Sequence, residues 1–198
     1  MKENHFFAML SRMKYINRWG LMRNTIKENI SEHSLVVAFI AHALGIINNV
    51  YFDGNMDAQH MAVLGMFHDV TEIITGDMPT PVKYYSPVIR NAYKEVENEA
   101  LVQMLGTLPK DMRDSYRPLI LENGGYEEEK RYFEYVKAAD KLSALIKCIE
   151  ERKMGNSDFD DAYGTITGAI DEMAEKMPEV RYFVEHFLPA YEHTIDDV

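Results

Sequence analysis

The sequence contains one cysteine, Cys148, and one tryptophan, Trp19, in 198 residues. A lone cysteine excludes an internal disulfide and every cysteine-rich zinc motif, so any metal must be held by other side chains. Cys148 itself reads as small apolar filler in a helix. Long apolar runs are missing as well. No window reaches the ~18 apolar residues of a spanning helix, and the opening MKENHFFAMLSRMK breaks its apolar run at Ser11-Arg12, too early for a secretory h-region. A cytoplasmic protein is therefore expected. Positive charge is scarce: 21 basic against 32 acidic residues give a formal charge of -11, which repels nucleic-acid polymers and anionic membranes. A small phosphate remains possible where a metal or a well-placed arginine reverses the local field. No sustained strand alternation, internal repeat, low-complexity tract or interdomain linker is present.

What is present suits a globular protein: 46% apolar and 27% charged residues. The length predicts a single domain over residues 1–198, large enough to bury about 70% of its unfolded surface. The periodicity predicts an all-α fold, a helical bundle. Ser31 is the expected cap of a helix through SLVVAFIAHALGIINN, where Leu35, Phe39, Ala43 and Ile47 recur every four residues. Asp57 caps a second through MAVLGMFHDVTEIIT to about Gly76. Ser86-Pro87 opens a third, to about Gly106. Later helices are expected from about Tyr126 to Met154, closed by Gly155-Asn156, from about Asp158 to Lys176, and from Pro178 to a break near Pro189. The 13 methionines read as core filling.

One stretch breaks the apolar pattern. FHDVTEIITGDMPTPVK puts His68, Asp69 and Glu72 where a core is being built, and the helical spacing sends all three towards one side. Read alone, Glu72 is an ordinary surface carboxylate. One imidazole and one carboxylate are too few for a tight divalent site. Two more candidates of the same kinds stand out: His33, in SEHS, and Asp140, a carboxylate among small and apolar residues in VKAADKLSALIK. His42 lies about 180° around the helix from His33 and cannot share its direction. His5, His60, His186 and His193 read as structural or solvated. The segment Met78 to Pro81 reads as a site loop.

The order H, HD, D resembles the HD superfamily of metal-dependent phosphohydrolases. RW at Arg18-Trp19, SEHS at Ser31 to Ser34, HD..E at His68 to Glu72, GD.PTPVK at Gly76 to Lys83 and KAAD at Lys137 to Asp140 narrow it. Five segments in this order resemble the bacterial 5′-deoxynucleotidases of the YfbR type, over essentially the whole chain. Arg90 to Glu134 carries no matching motif, and Gly124-Gly125 reads as a variable loop.

The resemblance implies a helical hydrolase of deoxyribonucleoside 5′-monophosphates, with a divalent cation on His33, His68, Asp69 and Asp140. Two imidazoles and two carboxylates suit cobalt, manganese, iron or zinc better than calcium. It further implies that Arg18 orients phosphate, that Glu72 moves a proton to or from the reacting oxygens, and that Trp19 walls the sugar. Asp77, Met78, Pro79 and Thr80 would touch substrate, with Asp77 accepting a sugar hydroxyl, and Asp69 and Asp140 would face it from the metal. Lys83 is either near phosphate or a plain surface lysine. A homodimer is expected by family analogy. Two alternatives remain: an HD hydrolase of a nucleoside triphosphate or alarmone, which would want more basic residues along the phosphate path than Arg18, and a non-catalytic metal or nucleotide sensor, for which Glu72 has no use.

Overall fold

In the computed structural model, residues 4–83, 85–120 and 127–193 are described. Among these, secondary structure is helical apart from one isolated antiparallel bridge, Asn17 to Asn29. A short α1 (Phe6–Leu10) and a 3-10 turn lead to α2 (Ile30–Tyr51), α3 (Ala58–Phe67), α4 (Glu72–Thr75) and α5 (Thr80–Lys83). Then come α6 (Pro87–Gly106), α7 (Arg113–Ile120), α8 (Glu127–Lys153), α9 (Asp160–Lys176) and α10 (Pro178–His186).

Side-chain caps set the starts of α2, α3 and α6. Asp57 accepts the His60 N–H at 2.9 Å and Ser86 that of Ile89 at 3.3 Å, as expected. The cap of α2 is Asn29 rather than Ser31: its side chain takes the Glu32 N–H while the Glu32 carboxylate takes the Asn29 N–H, each at 3.1 Å. The helix thus begins two residues early, at Ile30. Gly155, at φ +81°, follows α8 where a left-handed stop is required. The sequence reading did not anticipate α1, α5 or α7. Gly124-Gly125 and Tyr126 lie outside the described residues.

Two apolar clusters fill the interior. Val37, Leu44, Leu64, Leu142, Ile170 and Phe183 belong to the larger, between α2, α3, α8, α9 and α10. Phe6, Ile30, Val70, Leu101 and Ile120 belong to the smaller, and Leu119 packs against both. The core face of α2 differs from the expected one: Val37, Ala41 and Leu44 are buried, whereas Leu35 and Phe39 are exposed. Contrary to the reading of apolar runs, α2 is long and apolar enough to cross a membrane, with mean hydropathy 1.7 over its best window. Its burial accounts for that composition: one face packs on α3 and α8, and it carries buried His33, Ser34 and Asn48.

Candidate active site

The helix expected to run through His68 and Asp69 ends at Phe67. The next residues turn more tightly, with the N–H of Val70, Glu72 and Ile73 each bonding the carbonyl three residues back. A 3-10 turn eclipses positions three apart, which aligns Asp69 with Glu72. Neighbours in such a turn still diverge, by ~120°. The two side chains nevertheless reach one point between their directions, where His68 Nε2 lies 3.0 Å from Oδ2 of Asp69.

Close helix packing brings in the rest. At Gly65 a Cβ would stand 2.8 Å from the Ala38 Cα, so only glycine lets α3 press on α2 at this point. One turn on, the rings of His33 and His68 are 5.1 Å apart. His33 Nε2 lies 3.4 Å from Asp69 Oδ2 and 3.1 Å from Asp140 Oδ1, the latter supplied by α8. Donor atoms of His33, His68 and Asp140 all fall within 4.8 Å of one another. Both Nε2 atoms are buried and lack a hydrogen-bond partner. Buried imidazole nitrogens seldom go unsatisfied, and here they converge with carboxylate oxygens on one point, so the residues present fit a divalent cation. His68 is oriented for it, its Nδ1 giving a proton to the Gly65 carbonyl at 2.8 Å. His33 Nδ1 has Ser143 Oγ at 3.1 Å.

The electrostatics are those of a tight, part-buried cluster. Burial alone would raise Asp140 and Asp69, yet His33, His68 and, for Asp140, Arg18 hold both carboxyls below their ordinary range. Burial would lower His68, but the neighbouring Asp69 and Asp140 raise it. Glu72 goes the other way. Burial, reinforced by Asp69 and Asp77, pushes its carboxyl up to about 10. Its Oε2 is buried without a partner.

Arg18 sits on a closed loop. Bonds from Arg18 N–H to the Glu28 carbonyl (2.9 Å) and from Ile30 N–H to that of Ile16 (3.0 Å) pin the loop's base. Buried Glu151 of α8 holds the far side, accepting from Thr25 and Ile26 N–H, Asn156 Nδ2 and Lys147. The Arg18 guanidinium reaches Glu28 at 3.0 Å, His33 Nδ1 at 2.8 Å and Asp140 at 3.7 Å. Trp19 adopts φ +59°, a strained conformation for a bulky residue. Two contacts keep it there: its N–H donates to Asp77 Oδ2 at 3.1 Å, and its indole packs on Phe159 at 5.2 Å. Asp77 thus grips the tryptophan backbone, a contact absent from the sequence reading.

Two cavities meet at the cluster. The larger, about 690 Å³, is lined by Arg18, Trp19, Asp77, Met78, Pro79, Thr80 and Asp140, the expected substrate residues apart from Asp69. It also takes in Ala162, Thr165, Ile166 and Ala169 of α9, which the sequence reading missed. Their small apolar spacing looks like any core stripe. The smaller, about 380 Å³, is lined by His68, Asp69, Glu72 and Asp140, with Lys83 among its other walls. Lys83 itself pairs with Glu97 at 3.0 Å.

The chain matches the family model described as 5′-deoxynucleotidase YfbR-like over residues 5–191. A protein of Vibrio atlanticus (strain LGP32) named 5′-deoxynucleotidase is 45% identical over 198 residues, 100% of both chains. A crystal structure of an HD-domain phosphohydrolase from Listeria innocua aligns with TM-score 0.81 at 25% identity, covering 94% of this chain and 88% of that one. The fold is shared with a cyanophage S-2L HD phosphohydrolase, described as bound to dA and one catalytic Zn2+ ion (TM-score 0.63, 19% identity, 100% and 99% covered). A match of this extent, over a chain whose histidines and aspartates converge as an HD site requires, makes the protein a member of the YfbR-like 5′-deoxynucleotidase family.

Proposed function

We propose that the protein hydrolyses deoxyribonucleoside 5′-monophosphates to deoxyribonucleoside and orthophosphate with the help of one divalent cation. The observation that carries this reading is the junction at Asp140. A cavity large enough for a nucleoside meets a part-buried His/Asp cluster there, with the Arg18 guanidinium 3.7 Å from the Asp140 carboxylate.

In this reading the sugar lies against Trp19 and the Asp77 to Thr80 segment, and the base against Ala162, Ile166 and Ala169. The phosphate then reaches the junction, where Arg18 offers forked donors that suit charge on equatorial phosphoryl oxygens. His33, His68, Asp69 and Asp140 would hold the cation, which when bound neutralises phosphoryl charge and lowers the pKa of water. For Nε2 of His33 to face a cation, the ring proton must sit on Nδ1, where Ser143 Oγ can accept it. Arg18, which only donates, then loses its ring acceptor and is available to phosphate. Glu72 lines the smaller cavity rather than the nucleoside cavity, which favours a role on the water side. The charge of a bound cation would draw the raised carboxyl back down, so that Glu72 is ionised and takes a proton as water forms its bond to phosphorus; the bond to the 5′ oxygen breaks, and that oxygen leaves with a proton.

Cobalt and manganese fit the mixed nitrogen and oxygen ligands, as do zinc and iron. We further propose one catalytic domain working in the cytoplasm as a homodimer. Leu35, Phe39, Ile46 and Val50, 41–66% exposed, line one face of α2 and offer a second copy an apolar stripe about 22 Å long. The test is phosphate release from 5′- and 3′-deoxynucleotides with cation and after chelation. Release from the common 5′-monophosphates alone, abolished by chelator, is expected, and release indifferent to chelation contradicts the reading.

A further inference from the structure

Arg18 reaches the junction of the two cavities from a loop, so whatever holds its guanidinium decides where its donors point. Nη1 lies 3.0 Å from Glu28 Oε2 and 2.8 Å from His33 Nδ1, and Nη2 lies 3.7 Å from Oδ1 of Asp140. His33 and Asp140 both belong to the cluster that fits a cation. A cation on His33 Nε2 leaves the ring proton on Nδ1, which removes that acceptor, and a cation on Asp140 competes for its carboxylate charge. Of these three partners, Glu28 is the one that cation binding leaves untouched.

The backbone explains why Glu28 meets Arg18. Asn17 and Asn29 form the antiparallel bridge, and the Arg18 N–H donates to the Glu28 carbonyl at 2.9 Å. Positions 18 and 28 are therefore opposed, and opposed side chains leave on the same face. The pair is enclosed, with the two side chains 13% and 15% exposed. A charge-assisted bond shielded in this way is stronger than a surface ion pair. Arg18 lines the larger cavity, whereas Glu28 lines neither. Its route to a bound phosphate thus runs through the guanidinium. The capping box of α2 uses Asn29 and Glu32 without Glu28, so a change at Glu28 spares the start of the helix that carries His33.

We propose that Glu28 is the positioning residue of the phosphate-binding arginine: it fixes Nη1 and so turns Nη2 past Asp140 towards the transferred phosphoryl group. This rests on the proposed nucleotidase reading for what Arg18 binds, but the coupling of the two residues can be measured without turnover.

The experiment is a double-mutant cycle over Glu28→Ala and Arg18→Ala in cation-loaded protein, with Glu28→Gln as a variant of native shape. One readout is kcat and KM for dAMP. The other is the affinity for orthovanadate, a mimic of the trigonal phosphoryl group, divided by that for orthophosphate. Glu28→Ala is expected to lower kcat and this ratio by about ten- to hundredfold, the worth of a hydrogen bond to a charged group, and Glu28→Gln to lower them less. KM should not rise, and the cation should stay bound. With Arg18→Ala already present, Glu28→Ala should cost less than about twofold more. An equal loss with and without Arg18, a loss of the cation, or a rise in KM at unchanged kcat overturns the proposal. Absence of phosphate release from a deoxynucleotide panel would strike the nucleotidase reading alone and leave the vanadate cycle to judge Glu28. A wild type that neither releases phosphate nor binds vanadate overturns both.

Discussion

His68 gives its Nδ1 proton to the carbonyl of Gly65, 2.8 Å away, in a turn of α3 that lies against the backbone of α2. The same glycine therefore sets both the tilt of an imidazole and the distance between two helices. Gly65→Ala should cost about 1–3 kcal/mol, since a Cβ 2.8 Å from the Ala38 Cα meets backbone that cannot swing aside. It should also separate His68 from His33 and weaken divalent binding. Urea denaturation and a cation titration check the two effects.

Ser143 should matter for metal affinity although it does not face the cation. It is the side chain positioned to take the His33 Nδ1 proton, at 3.1 Å. Ser143→Ala should weaken cation binding by about 10- to 100-fold, the usual worth of such a partner, and Ser143→Thr should restore much of it. Calorimetric titration with Mn2+ or Co2+ measures this.

Glu72→Gln should lower kcat by about 10²- to 10⁴-fold while the cation stays bound. The amide keeps shape and polarity and removes only the titrating group. Turnover measured beside metal content separates the roles, and loss of metal in the variant would make Glu72 a ligand.

The loop carrying Arg18 and Trp19 should have its own pH dependence through Glu151. Burial would raise this carboxyl, but Lys147, Asn156 and two backbone N–H groups draw it down to about 2 from 4.5. The unfolded chain thus takes up the proton first. The stabilisation is complete above pH about 4.5 and is lost as pH falls towards about 2. Glu151→Gln leaves buried Lys147 without its counter-charge and should cost about 3–5 kcal/mol at pH 7. The gap between variant and wild type in urea denaturation should narrow below pH about 4.5.

These predictions divide by how visible their residues are in the chain. His33, His68, Asp69 and Asp140 could be read because imidazoles and carboxylates in apolar surroundings are costly, so their position already asks for a partner. The break after Phe67 could not, since apolar spacing continues across it and 3-10 tightening leaves no mark in composition. Leu35 and Phe39 fit a four-residue period yet face outwards, because period locates a stripe without saying which neighbour covers it. Ser143 and Glu151 are ordinary helix residues whose partners His33, Thr25 and Ile26 lie more than a hundred positions away. Glu28 is one more acid in the sequence until the closed loop sets it opposite Arg18.

In the proposed function the indole of Trp19, packed on Phe159 while Asp77 holds the backbone N–H, walls a sugar pocket beside a phosphate-cleaving cluster. An added 2′-hydroxyl would meet that wall and lose water without a full hydrogen-bond partner, at ~1–3 kcal/mol. The direct test is kcat/KM for paired deoxyribo- and ribonucleoside 5′-monophosphates on the cation-loaded protein. The prediction is a preference of about 5- to 150-fold for deoxyribose, reduced in Trp19→Ala. Equal values on both sugars in the wild type would contradict it.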